Sequence, residues 1–325
     1  MIAYIVRRAL YAIPILIGVN LLTFFLFFVV NSPDDMARMN LGIKRVTPEA
    51  IEKWKAERGY DRPLLWNGER GGLDSVIDTI FFEKSVRLFA LQFGRSDEGR
   101  DIARDIGERM WPSLAIAVPS LLVGLLVNIT LAMLLAFLRG TYIDTWGVVL
   151  GVVLMSISSL FYIIGGQFLV GKLLRLVPIS GYDGGLESFK FVVLPVLVGL
   201  AGGIGAGTRW YRTLFLEEMG KEYVRTARAK GLAESVVLFK HVLRNALIPI
   251  LTGVVVVLPL LFMGSLITEA FFGIPGLGSY TIDAISHQDF AVVRSMVFLG
   301  SVLYILGLLL TDISYTLVDP RVRLE

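Results

Sequence analysis

Long apolar runs alternate with polar stretches along this chain. Six runs are long enough to cross about 30 Å of hydrocarbon as helices. They cover residues 9–30, 113–138, 146–170, 191–210, 249–271 and 293–318. The pattern therefore predicts an all-α membrane protein with six transmembrane helices.

The first apolar run follows Arg7 and Arg8, as the apolar segment of a secretion signal would. It covers residues 9–30, which is longer than the roughly 7 to 15 residues of such a segment. The chain continues as Asn31-Ser32-Pro33, without the small residues of a cleavage site. We therefore expect this run to be retained as the first span.

Glycine and alanine are concentrated in the fourth run, at residues 201–207. Gly203 and Gly207 are four positions apart, as are Gly147 and Gly151 in the third run. This spacing is typical of closely packed membrane helices. A lining of the translocation path is the alternative interpretation.

The distribution of lysine and arginine predicts the orientation, because short cytoplasmic loops carry more of them. The cations assigned to the cytoplasmic side are Arg7, Arg8, Arg139, Arg209, Arg212, Lys221, Arg225, Arg228, Lys230, Lys240, Arg244, Arg321 and Arg323. The short loops on the other side carry only Lys172, Arg175, Lys190 and Arg294. Both termini are therefore predicted to be cytoplasmic.

The segment between the first two runs, residues 31–112, is predicted to be a folded periplasmic domain. Thr47 and Pro48 can start a helix as N-cap and first helical residue, and Gly59 can end it. An amphipathic stretch at 100–111 is expected to lie on the outer membrane surface and lead into the second span. A cap on the outer face and a docking surface for another protein are both compatible with this domain.

The predicted domains are thus residues 1–30, 31–112 and 113–325. The first holds the first span, and the second is the periplasmic loop. The third holds spans two to six with a cytoplasmic loop at 211–248.

Composition supports a membrane protein and excludes several other classes. Apolar residues make up 55% of the chain and charged residues 18%, against about half and about a quarter in ordinary globular domains. The net charge of +3 comes from basic residues between apolar runs, without an aromatic-basic motif, so nucleic-acid binding is not expected. The chain has no cysteine, which excludes disulfides and thiolate metal sites. His241 and His287 are predicted on opposite membrane faces, so neither a metal site nor a catalytic pair is expected.

Residues 166–172 are similar to the start of a phosphate-binding loop. Leu173 stands where that loop needs a serine or threonine to hold magnesium, and the surrounding run is apolar. We therefore expect no ATP site, no cofactor and no enzymatic activity on this chain.

An ion-coupled secondary transporter is the second class to consider. Such carriers place carboxylates near the bilayer midplane. The polar residues within the predicted spans are instead Asn20, Asn128, Gln167 and Asp312. Asp312 lies toward the cytoplasmic end of the sixth span, where local partners can satisfy it.

The loop after the fourth run contains a predicted short helix held between two spans. Residues 222–230 can form two to three turns, and Gly231 supplies a left-handed stop. A second helical pattern at 236–247 continues into the fifth run. The short helix would display charged side chains beside the small residues Ala227 and Ala229, which suits insertion into a groove on a partner. A solvated helix with anchoring cations is the alternative.

The same loop carries a family resemblance. Thr-Ala-Arg-Ala-Lys-Gly at 226–231 and His-Val-Leu-Arg-Asn-Ala-Leu-Ile-Pro at 241–249 resemble the coupling loop of the dipeptide/oligopeptide/nickel permease family of bacterial ABC importers. Further matches lie in order along nearly the whole chain, at 7–8, 93–96, 176–178, 269–278 and 319–321. The closing segment 312–321 is most like the Yej-type permeases, which import oligopeptides and microcin C.

The resemblance implies the type I ABC importer permease fold and a multi-pass subunit of the bacterial inner membrane. Its expected partners are a second permease subunit, two cytoplasmic ATPase subunits and a periplasmic substrate-binding protein. The second permease is expected to be a different chain, with a homodimer as the alternative. ATP and magnesium would be bound by the ATPases alone. A peptide is the expected substrate, with nickel or another small solute as the alternative.

The resemblance also assigns candidate site residues. Those expected to couple to the ATPase are Glu222, Tyr223, Arg225, Thr226, Ala227, Arg228, Ala229, Lys230 and Gly231. Those expected to support this loop are His241, Arg244, Asn245 and Pro249. Glu269, Pro275 and Gly276 are candidates for an outer mouth or gate, although Glu269 could instead bond to loop backbone.

The chain departs from the general importer signature Glu-Ala-Ala-x-x-x-Gly. Arg225 and Thr226 stand where its glutamate and first alanine would be, and only Ala227 and Gly231 match. Glu222 and Arg228 are therefore the candidates for a salt bridge to the ATPase. The turn at 32–35, Ser-Pro-Asp-Asp, also differs from the Pro-Gly-Asp-Pro that is typical of this family.

Overall fold

The computed structural model describes residues 2–42 and 47–318, and this part of the chain is helical throughout its regular structure. The α-helices are α1 Ile2–Phe24, α2 Pro33–Leu41, α3 Pro48–Arg58, α4 Asp74–Ile77, α5 Ile80–Lys84, α6 Ile102–Phe137, α7 Tyr142–Met155, α8 Ser159–Gly166, α9 Phe189–Met219, α10 Glu222–Ala229, α11 Glu234–Val236, α12 Leu243–Val257, α13 Leu266–Phe272, α14 Leu277–Ser286 and α15 Phe290–Val318. The all-α class is confirmed. The motif at 319–321 and Arg323 lie outside the described residues.

Five helical stretches in the described part are long and apolar enough to cross a membrane: Val6–Val30, Ile102–Phe137, Phe189–Met219, Glu234–Met263 and Phe290–Ser314. Their outward faces expose large apolar side chains; Leu126 on α6 is 69% exposed. Such exposure is unfavourable in water and suits contact with lipid tails.

The third predicted span is not a single straight helix. Tyr142–Met155 and Ser159–Leu173 meet at an angle of 88°. The break falls at Ser156-Ile157-Ser158, where the Ser156 hydroxyl donates to the carbonyl of Val152 and Ser158 adopts an extended backbone. Serine side chains compete with the helix for backbone partners, which explains a bend that an apolar run does not reveal. The count is therefore six spans only if this bent pair is one span.

The fifth span ends earlier than the sequence predicts. Pro259–Met263 forms a 3₁₀ turn, and Gly264 then takes a left-handed φ of 66°. The residues beyond form the separate helix α13, so the boundary at residue 271 was wrong. A glycine in an apolar run gives no sign of this turn, because the conformation depends on what packs against it.

The amphipathic stretch at 100–111 leads directly into the second span, as predicted. From Ile102 onward it belongs to α6, which continues without a break to Phe137. At about 1.5 Å per residue, α6 is about 54 Å long, well beyond the thickness of the hydrocarbon.

The described residues form two compact units. The first comprises 2–42, 47–110 and 279–309, and the second 111–278 and 310–318. The first unit has an aromatic core that contains Phe24, Phe28, Trp54 and Tyr60. Thr47 caps α3 and Gly59 ends it with a φ of 68°, as predicted. The segment after the first span is thus folded.

The second unit is built around α6, α7, α9 and α12. Helices α7 and α9 approach so closely that a Cβ on Gly205 would overlap the carbonyl of Gly151. A Cβ on Gly207 would contact the Asn128 side chain at 2.7 Å, whereas one on Gly203 would meet nothing within 4 Å. Close packing by small residues is confirmed, but the helix-to-helix contact is between Gly151 and Gly205.

Candidate functional site

Helix α10 is amphipathic, and it packs its small face into the core of the second unit. Val224 and Ala227 are buried at 0% and 4% exposure. They share one apolar cluster with Ala132 and Ala136 of α6, Phe215 of α9, and Val237, Val242, Ala246 and Ile250 of the chain that follows. Helix α10 is therefore packed against α6, α9 and α12 through one shared apolar cluster.

The start of α10 is tied to the end of α9 through Glu218. This carboxylate is buried at 9% exposure. Its two oxygens accept hydrogen bonds from Tyr223 and from Lys221. Burial and the bond to Glu218 raise the pKa of the Tyr223 hydroxyl, while a hydrogen bond with Asn245 lowers it. Tyr223 therefore faces inward and anchors the helix.

The end of α10 is fixed by a left-handed turn and an ion pair. Gly231 has a φ of 75°, and a Cβ there would meet nothing within 4 Å. Arg228 donates from Nε and Nη2 to the two carboxylate oxygens of Glu234, at 3.0 and 2.5 Å. The hydrogen bonds to Glu234 raise the pKa of Arg228. The predicted left-handed stop at Gly231 is present.

The exposed face of α10 carries the residues left for a partner. Glu222 and Arg225 form an ion pair at 2.6 Å with both side chains more than two-thirds exposed. Such an exposed pair contributes little to stability and is easily exchanged for other partners. Thr226, Ala229 and Lys230 complete this face. Of the two candidates for the ATPase salt bridge, Glu222 is the more accessible, since Arg228 already binds Glu234.

The chain returns to the bilayer through a π-helical turn, Val237–Val242, followed by α12. Asn245 donates to the carbonyl of His241 at 2.7 Å. Pro249 lies within α12 and has no N–H for the carbonyl four residues before it. Arg244 is exposed on the same segment. All four predicted support residues thus lie on the return segment, and Asn245 reaches Tyr223.

Sequence inspection missed an ion pair that joins two helices of the second unit. Asp144 of α7 accepts from Nε and Nη2 of Arg212 of α9, both at 2.8 Å. Asp144 is 6% exposed, and it also accepts from the backbone N–H of Gly140. A lone aspartate near an apolar run was the available signal, because buried carboxylates need a charged partner.

The predicted outer-mouth residues form a packed turn. Glu269 is 1% exposed and accepts from the Ser265 backbone N–H at 3.1 Å. A Cβ on Gly264 or Gly276 would overlap its carboxylate. Pro275 is exposed. Glu269 also lines a cavity of about 270 Å³ with Ser113 and Thr268. This geometry supports the alternative in which Glu269 bonds to loop backbone. A role of Glu269 in an outer gate remains a prediction.

The three amide side chains predicted within the spans hydrogen-bond to residues distant in the sequence. Asn20 donates to the Ser85 carbonyl at 3.1 Å, and Asn128 accepts from Thr208 at 3.0 Å. Gln167 donates to the carbonyls of Ile179 and Phe271. Each of these amides has a structural partner, which gives no support to a chain of proton-relaying groups.

Comparison with known proteins places this geometry in context. A family model described as the inner membrane component of binding-protein-dependent transport systems matches residues 128–324, and the model of its N-terminal part matches residues 1–70. The dipeptide transport system permease protein of Escherichia coli K12 is 29% identical over 99% of both chains. That of Alkalihalophilus pseudofirmus is 27% identical over 99% of this chain and 100% of its own. A Brucella abortus protein provisionally named a peptide transport system permease is 32% identical over the full length of both.

Proposed function

Because this chain belongs to the family of binding-protein-dependent transport system inner membrane components, we propose that it moves peptides as the permease subunit of an ATP-driven importer. Membership confirms the resemblance seen in the sequence, the inner-membrane location and the role as a translocation subunit rather than an enzyme. The peptide comes from the printed names of the full-length relatives.

The observation that carries the mechanism is the two-faced helix α10. Its buried face joins three long helices, and its exposed face offers Glu222, Arg225 and Lys230. We infer that an ATPase subunit binds this exposed face. ATP would then shift the permease between outward and inward states by binding one of them more tightly. The proposed assembly has two permease subunits, two ATPases and a binding protein on the outer side.

The proposed substrate and energy source can be tested by uptake. Proteoliposomes that hold the full importer and its binding protein should accumulate a labelled tripeptide only when ATP is present on the side of the membrane where the ATPase subunits lie. Vanadate should reduce the initial rate at least tenfold, since it traps ATPases after hydrolysis. A proton ionophore should change the rate less than twofold.

The opposite pattern, in which the ionophore abolishes tripeptide uptake and vanadate leaves it unchanged, would favour an ion-coupled carrier. Accumulation of nickel but not of tripeptide would keep the importer class and reject the peptide.

The proposed orientation places α10 and both termini in the cytoplasm. It rests on the cations around α10, because cytoplasmic loops of membrane proteins are enriched in lysine and arginine. Alkaline phosphatase fused after Gly231 should therefore be inactive in cells, while fusion after Gly71 in the first loop should be active. An active enzyme after Gly231 would contradict this orientation.

A further inference from the structure

The first unit contains a cavity of about 830 Å³ that no role described so far uses. It lies over the aromatic core, between the end of α3, the segment 92–99 and the start of α15. All its lining residues belong to this unit. The volume is in the range of small-molecule sites, about 300–1,000 Å³.

The floor of this cavity holds a buried arginine. Arg294 is 2% exposed, and its guanidinium lies 5.1 Å from the ring centre of Phe28. Among the described residues, Nε and Nη1 of Arg294 have no hydrogen-bond acceptor. The guanidinium keeps a hydrogen bond with Tyr60 and lies in the field of Asp97 and Asp289, so in the described structure only these two of its N–H groups are unsatisfied. Buried N–H groups without acceptors cost free energy, which makes them candidates for contact with a ligand. The sequence placed Arg294 in a loop, whereas it lies in the first turns of α15.

A buried carboxylate oxygen on the same cavity also lacks a partner. Asp97 accepts from Arg58 through Oδ1 at 3.2 Å, and its backbone N–H donates to Asp289 at 3.0 Å. These bonds fix the side chain, yet Oδ2 is buried without a hydrogen-bond donor in the described structure. Burial raises the pKa of Asp97 to about 6, and the nearby Asp289 adds to the effect. A cation beside Oδ2 would favour the charged form.

The remaining charges around the cavity favour a ligand that brings a carboxylate. Six lining residues are cations and four are carboxylates. Arg62 and Lys84 already pair with Glu83. Arg87 is exposed among the lining residues. Burial lowers the pKa of Lys84 because desolvation disfavours its charged form, and an anion in the cavity would stabilise that charged form.

We propose that this cavity binds a zwitterion of short-peptide size, with its carboxylate on Arg294 and its ammonium group on Oδ2 of Asp97. Arg294 can donate two parallel hydrogen bonds to a carboxylate, and Asp97 can accept from the ammonium. One ligand would thereby satisfy both buried groups. The identification of the zwitterion as a peptide rests on the proposed function.

The test uses the full chain in phosphatidylcholine nanodiscs and measures trialanine binding by calorimetry. Trialanine should bind saturably, while trialanine amide and N-acetyl-trialanine should each bind at least tenfold more weakly. Arg294→Gln should weaken trialanine binding at least tenfold. Arg87→Gln, an exposed change that leaves the core intact, should weaken it about threefold. The control is Arg104→Gln, because Arg104 is 78% exposed and does not line the cavity; its affinity should equal that of the wild type.

Several outcomes would overturn the proposal. They are no saturable binding, equal binding of the blocked peptides, and unchanged affinity in both Arg294→Gln and Arg87→Gln. If trialanine binding were lost when the nanodiscs contain phosphatidylglycerol, the ligand of the cavity would be a lipid phosphate and not a peptide. The measurement needs neither ATPase nor binding protein. If the importer transports peptide but this chain does not bind trialanine, the cavity proposal fails and the proposed function stands. If this chain binds trialanine but uptake does not need ATP, the cavity proposal stands and the importer function fails.

Discussion

Gly231→Val is expected to lower peptide uptake at least tenfold while the ATPase activity of the assembled importer stays within twofold of wild type. Gly231 ends α10 with a φ of 75°. A β-branched residue is strongly disfavoured there, at about 1–2 kcal/mol or more. The chain would relieve this strain by changing the turn, which would displace Lys230 and the Arg228–Glu234 ion pair. Helix α10 would then be misplaced relative to the ATPase, although its Val224 and Ala227 contacts keep it folded.

Gly231→Asn is the matched control for this prediction. Asparagine tolerates the left-handed region, and a side chain there has open space around it. It should retain at least half of the wild-type uptake. Uptake and ATP hydrolysis are measured on the same proteoliposomes, with protein amount and melting temperature recorded for each variant. Wild-type uptake by Gly231→Val would contradict the coupling role of this turn.

Asp144→Ala is expected to give the largest loss of stability among the variants considered. It removes the carboxylate that binds Arg212 through two hydrogen bonds of 2.8 Å. The Arg212 side chain is 19% exposed, so it would remain as a largely buried cation without its partner. Breaking a buried ion pair in this way costs about 3–5 kcal/mol. The melting temperature of the purified protein in detergent should fall by on the order of 10 °C.

The double variant Asp144→Ala, Arg212→Leu tests the reason for that loss. Removing both charges eliminates the unpaired cation, and buried ion pairs can often be replaced by apolar residues with little cost. The double variant should regain at least half of the lost melting temperature. Asp144→Asn should lie between wild type and Asp144→Ala, because it keeps a hydrogen-bond acceptor without the charge. If the double variant were less stable than Asp144→Ala, the ion-pair explanation would be wrong.

The membrane class, the approximate spans and the family could all be predicted from the amino-acid sequence. Apolar runs of about 20 residues have few alternatives to membrane helices, since lipid offers backbone groups no partners. Local turn chemistry was equally readable. Helix α3 begins after Thr47 and ends at Gly59, and Gly231 ends α10, because caps and left-handed turns depend on a few neighbouring residues.

Which polar groups contact one another depends on the packing of the folded chain. The pairs Asp144–Arg212 and Asn128–Thr208 are separated by 68 and 80 positions, so no local pattern predicts them. The same holds for the turn at Gly264, which packs against Glu269, and for the break of the third span. Arg294 shows the limit most clearly. Its place near the end of an apolar run resembles that of a loop cation, yet packing against Phe28 buries it beneath a cavity, because burial is a property of the neighbours and not of the residue.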